Sequence, residues 1–255
     1  MTGGRGLASL RRSFPADPGS RQRTQELLAL LAAGRHRPAA WGRFAVRAAV
    51  MSCEAAVERP RAAAEVTALH AVVLLVARCR GRAGGAWTGL SWLLAVTHLG
   101  LLGERRSLGA ANAVTLARAC LPALAGGRWT GPAALAADFL DGQLARRRGE
   151  ATVFGSYADT IADAAFWTWF AARHEPSWPL RAAAAVAWTA PVAAVAAVSM
   201  ARGRMTDVPR PALVRPAAPL AVLLVARACA RRRGQAPEPG RRDRPAPGAG
   251  LSRRW

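Results

Sequence analysis

Seven mostly apolar runs, at about 63–78, 86–103, 110–127, 131–147, 152–172, 179–201 and 212–230, constrain this chain more than any other feature. Each approaches the roughly 17–25 residues that a helix needs to cross a bilayer. No segment alternates with the period of a strand. The expected fold class is therefore all-α, a multi-pass transmembrane helical bundle of about six to seven spans. Alanine and glycine dominate the runs, and such small residues let membrane helices approach closely. The run at 179–201 reads as the strongest span. The first and last, short or broken by Arg215 and Arg227, read as the weakest.

The flanks are different in kind. Residues 1–23 are basic and punctuated by Gly and Pro, and 231–255 are low in complexity, so both termini are expected to be disordered. Residues 1–62 form a basic N-terminal region. From 24 to 62, apolar patches are interrupted by Arg35, Arg37, Arg43, Arg47, Arg59 and Arg61, which suits amphipathic helices lying on a membrane surface. Residues 63–107 supply two accessory membrane helices, and 108–230 a separate membrane domain. All 36 basic residues are arginine, and the net charge is +21. With so many spanning runs, that charge fits an anionic membrane surface, and no nucleic-acid partner is expected. Arg105 and Arg106, Arg146 to Arg148, and Arg202 and Arg204 fall on one side if the helices alternate, and that side should be cytoplasmic. Arg80, Arg82 and Arg231 to Arg233 break the rule by landing opposite. The four cysteines are scattered without a metal-ligand or disulfide spacing.

Chemistry enters with the acids. Asp138, Asp141, Asp159 and Asp163 all sit inside otherwise apolar helical runs. A carboxylate there costs several kcal/mol unless it is paired, bound to a cation or facing water, so such residues mark functional sites. Asp138 and Asp141 are spaced i, i+3 and Asp159 and Asp163 i, i+4, which puts each pair on one helix face. Gly142 and Ala145 share the first face and Gly155 the second, leaving room for a ligand or a neighbouring helix. A short basic loop joins the two runs, so an antiparallel hairpin could bring the pairs together. Four converging carboxylates repel unless cations neutralise them. An oxygen-only ligand set suits Mg²⁺ or Mn²⁺, and two such ions can clamp a diphosphate.

The stretch from Asp138 to Asp163 resembles the signature of the CDP-alcohol phosphatidyltransferases, D-x2-D-G-x2-A-R-x8-G-x3-D-x3-D. All eight fixed positions and every spacing agree. Upstream, Asn112-Ala-Val-Thr115-Leu-Ala-Arg118 resembles the family's first core helix. The resemblance implies that Asp138, Asp141 and Asp159 hold one metal ion and that Asp138, Asp159 and Asp163 hold a second. It implies that Asp163 is also the general base toward an acceptor hydroxyl. Gly142, Ala145, Arg146, Thr152 and Gly155, with Asn112 and Arg118, would bind the CDP moiety. A fork from Arg146 onto a phosphate is also good physical chemistry. The donor would be a CDP-linked lipid, the acceptor a polar alcohol and the product CMP. The location would be the plasma membrane with the site facing the cytoplasm, and a homodimer is reasonable.

Other readings remain open at this point. Taken singly, Thr152 and Asn112 would most often be helix N-caps, at the starts of 153–172 and 113–127. Arg118, inside an apolar helix, wants an anion, whether a phosphate or an aspartate of the site. Arg202, Arg204 and Arg210 could meet a phosphorylated acceptor, or could simply snorkel. A membrane prenyltransferase also uses paired aspartates and Mg²⁺, but lacks the interposed G-x2-A-R. A catalytically degenerate homologue, or a membrane protein whose aspartates only pair with Arg146 to Arg148, would have no activity.

Overall fold

The computed structural model describes residues 18–205 and 217–233; residues 1–17 and 234–255, Arg210 and Arg215 lie outside them, whereas 18–23 and 231–233, expected to be disordered, are helical. The described residues form α-helices and one 3₁₀ turn, with no strand among them. An N-terminal pair, α1 (Pro18–Ala33) and α2 (Pro38–Glu58), precedes α3 (Pro60–Cys79) and α4 (Gly85–Thr97). The 3₁₀ turn Leu99–Leu102 leads to α5 (Ala110–Ala119) and the short α6 (Leu121–Leu124). Then come α7 (Thr130–Arg148), α8 (Val153–His174), α9 (Trp178–Arg202) and α10 (Ala217–Arg233).

Local chemistry explains the boundaries. Pro38 and Pro60 stand at the first position of their helices, where a missing N–H costs nothing. Pro60 starts α3 three residues ahead of its apolar run. As a result the first run, expected to be among the weakest, becomes a 20-residue helix, one of two among the described residues long and apolar enough to cross a membrane. The other is α9, as expected. Only 28% of the apolar window of α3 and 17% of that of α9 is buried, so both present apolar side chains outward. Val72 and Leu75 on α3 and Val186 on α9 are exposed, as are Phe139 and Leu140 on α7. The run at 110–127 is not one helix: it breaks at Cys120, two residues before Pro122.

Polar contacts tie the helix ends into two groups. At one end, Arg59 donates to Gly103 O (2.7 Å), and Glu65 accepts from Ser107 Oγ and the Leu108 amide (2.7 Å). There too Arg105 donates to Gly149 O (2.6 Å), and Glu150 accepts from the Ala111 amide (3.2 Å). The starts of α3, α5 and α8 and the end of α7 are thus gathered together. At the other end, Arg82 donates to Ala123 O (3.1 Å) and Arg80 to Leu124 O (3.5 Å), covering the last carbonyls of α6. Arg231 and Arg227 both reach Glu175, each at 2.9 Å. The arginines that break the charge asymmetry therefore have local partners: carbonyls for Arg80 and Arg82, a carboxylate for Arg231.

Glu175 is the polar anchor of the C-terminal helix. Its side chain is only 1% exposed and also accepts from the Ser177 amide (3.0 Å). The hydrogen bonds and charge of Arg227 and Arg231 outweigh burial and hold its carboxyl at about 2, below the usual 4.5. A depressed acid stabilises the fold above its unfolded value, and that contribution fades as pH falls from about 4.5 toward 2. Glu175→Gln should therefore cost about 1–3 kcal/mol at neutral pH. In melts of detergent-solubilised protein, wild type should lose its advantage over the variant as the pH is lowered through that window.

A core of aromatic residues lies under these contacts: Phe166, Trp167 and Phe170 of α8 pack with Trp188 of α9 and Leu224 of α10. Phe166 and Phe170 stack with ring centroids 5.8 Å apart. This packing fixes the outer half of α8 and leaves its first turns for the site.

Candidate active site

The two aspartate pairs do converge, but not across a simple hairpin. Helix α5 packs extensively against both α7 and α8, whereas α7 and α8 hardly touch each other. Small side chains on the packed face of α5, buried Ala111 and Thr115, let it lie between the two arms. The acids on α7 and α8 therefore face one another over α5.

Ligand oxygens of Asp138, Asp141 and Asp159 lie within 4.8 Å of one another. Their surroundings differ. The side chain of Asp138 is 54% exposed at the mouth, while that of Asp141 is 10% exposed at the base. The Thr115 hydroxyl donates to Asp141 Oδ2 at 2.8 Å and orients that carboxylate. An all-oxygen set of this size, partly open to small molecules, fits a hard divalent cation that keeps water or phosphate among its ligands.

Arg118 occupies the centre. Its guanidinium is 1% exposed. Nη1 bonds Asp163 and lies 3.7 Å from Asp138, while Nη2 bonds Asp159 and lies 3.8 Å from Asp141. One arginine thus contacts all four acids, a reach that Arg146 to Arg148 at the end of α7 do not have. Thr115 and Arg118 are i, i+3 on α5. That spacing was open to the same face argument as the aspartates, yet only the arginine stood out as chemically unusual.

The other site residues divide into two groups. Thr152 is the N-cap of α8, its Oγ1 accepting from the Gly155 amide at 2.9 Å. Asn112 is not a cap: α5 begins at Ala110, after Gly109 with φ of 79°, and the Asn112 side chain is buried inside it. Its amide donates to Leu108 O (2.7 Å) and Thr152 Oγ1 (3.2 Å). A Cβ on Gly155 would stand 2.3 Å from Asn112 Oδ1, so that glycine permits the contact between α5 and α8. Asn112, Thr152 and Gly155 are accordingly joined to one another. Gly142, Ala145 and Arg146 lie on α7 beyond Asp141, toward the helix end. Arg146 folds back until Nη1 is 3.1 Å from where a Gly142 Cβ would be.

Residues 108–231 match the family model for CDP-alcohol phosphatidyltransferase. No curated protein and no solved structure matches the chain.

Proposed function

We propose that this protein, whose residues 108–231 match the CDP-alcohol phosphatidyltransferase family model, is an integral membrane enzyme that transfers a phosphatidyl or related phosphoalcohol group. The donor is a CDP-linked lipid such as CDP-diacylglycerol, the acceptor an alcohol, and CMP is released. The observation that carries this reading is the oxygen-only cluster of Asp138, Asp141 and Asp159, brought together from α7 and α8 across α5.

Asp138, Asp141 and Asp159 would hold one Mg²⁺ or Mn²⁺ ion, and Asp138, Asp159 and Asp163 a second. Held there, divalent ions would offset negative charge on the diphosphate and on the transferring phosphorus. The remaining steps belong to the chain's own side chains. Asp163 accepts the proton of the acceptor hydroxyl. The new O–P bond forms as the bond from phosphorus to the CMP oxygen breaks. Gly142 and Ala145 leave space for the nucleotide, and Arg146 forks onto its phosphate. Asn112, Thr152 and Gly155 keep α5 against α8, so that both sets of acids stay in register.

The membrane reading rests on α3 and α9, whose apolar surfaces face outward. Seven spans follow if α3, α4, α5 with α6, α7, α8, α9 and α10 alternate. The end carrying Arg105, Arg106 and Arg146 to Arg148 is then cytoplasmic, and α1 and α2 lie along that surface. On α2, Val46, Val50 and Val57 form an exposed apolar stripe beside Arg43 and Arg47, as an interfacial helix requires.

The test is CMP release from membranes containing the protein, given CDP-diacylglycerol, Mn²⁺ or Mg²⁺ and a panel of alcohols. Release should require the divalent cation, stop with EDTA and resume on adding metal back. Asp163→Asn should slow it by about 10²–10⁴-fold, the usual worth of a general base. Silence with every acceptor would sink the proposal.

A further inference from the structure

We propose that Arg118 is the resident counter-ion of the aspartate pocket, holding the four acids together before a divalent cation arrives and giving them up to it. The inference rests on the metal-binding reading of the cluster and adds a role for a residue outside the aspartate signature.

Three observations carry it. First, the guanidinium stands where a cation would have to stand: Nη1 and Nη2 bond Asp163 and Asp159 and come within 3.7 and 3.8 Å of Asp138 and Asp141. Carboxylate oxygens turned toward a cation cannot keep the same hydrogen bonds to arginine, so occupancy by the two is competitive. Second, among the described residues the polar partners of this side chain are the four aspartates. Arg118 is buried, yet its Nε has no hydrogen-bond partner among the described residues. Third, the single charge is insufficient as a permanent solution, since one buried arginine faces four carboxylates, of which only Asp138 and Asp159 are well exposed at the mouth. The arrangement would keep a metal-free pocket assembled but leave its acids incompletely neutralised, which is the condition for a divalent ion to displace the guanidinium. Once displaced from the acids, the fork can take a phosphate oxygen of the incoming donor.

The experiment compares wild type with Arg118→Gln and Arg118→Lys as full-length protein in detergent, purified with Mn²⁺ and then stripped with EDTA. Thermal unfolding is followed with and without Mn²⁺, and Mn²⁺ affinity is read by paramagnetic resonance. For Arg118→Gln, the metal-free melting temperature should drop by at least about 4 °C, while the Mn²⁺-loaded value stays close to wild type. Its Mn²⁺ affinity should rise about tenfold or more, because a competing charge has gone. A merely structural arginine would give an equal loss with and without metal, and that result overturns the proposal, as does an unchanged or weaker Mn²⁺ affinity. If Arg118→Gln does not fold even with Mn²⁺, Arg118→Lys decides. An amine reaches fewer of the four carboxylates, so the gap between metal-free and loaded stability must widen, and an unchanged gap overturns the idea. Wild type that binds no Mn²⁺ at all would remove the metal site itself, whereas the outcomes above leave that reading intact.

Discussion

Asp159→Asn is expected to lower CMP release by at least about 10³-fold, the largest loss from any single replacement in the pocket. Asp159 is the only acid on α8 within the set of three whose oxygens share one small volume. It also bonds Arg118. Removing its charge therefore cuts the link between the α7 acids and Asp163, the proposed proton acceptor on α8. Asparagine keeps the shape and still offers an oxygen, so the fold should survive, and melting with Mn²⁺ absent should fall little. A side-by-side assay of Asp159→Asn and Asp163→Asn separates the two roles. The first should lose metal-dependent stabilisation along with activity, while the second should keep much of it. An Asp159→Asn enzyme with near-normal turnover would contradict the assignment.

Gly155→Ala should be the most damaging change that adds no charge and removes none. The added Cβ would lie 2.3 Å from Asn112 Oδ1 and 3.2 Å from Thr152 Oγ1. Alanine is worth about 1 kcal/mol more than glycine in a helix interior. That gain is outweighed, because overpacking a close contact costs about 1–3 kcal/mol and moves backbone. Backbone is what matters here: α5 carries Thr115 and Arg118, and α8 carries Asp159 and Asp163, so separating the helices spreads the site. We expect a lower melting temperature and a loss of activity larger than that loss of stability alone would give. Asn112→Ala should relieve part of the clash. In a double-mutant cycle the pair should cost less than the two single losses added together. Additive losses would show that the helices do not meet at this point.

Much of this was legible in the sequence, for reasons that differ residue by residue. The helical class followed from apolar runs without strand alternation. The acids were legible because charges in apolar runs need a purpose and because their spacing puts each pair on one face. The insertion of α5 between α7 and α8 was not legible, since runs of alanine do not say which helix they will touch. The break at Cys120 had a signal in Pro122, but an apolar run continuing past it hid the interruption. Asn112 looked like a cap because the true start, Gly109 with its positive φ, lies three residues earlier. The partners of Arg82 and Arg231 were out of reach, because a carbonyl at Ala123 leaves no mark in sequence and Glu175 lies 56 positions from Arg231. Long-range pairing of this kind is decided by packing, and local pattern carries no record of it.

The central claim is that carboxylates from α7 and α8 share a divalent cation. Titrating Mn²⁺ into metal-free purified protein, with the free-ion resonance signal as readout, tests it most directly. The account predicts saturable binding in wild type that disappears when Asp138, Asp141 and Asp159 are all changed to Asn. Binding that persists undiminished in the triple variant, or no saturable binding in wild type, would contradict it.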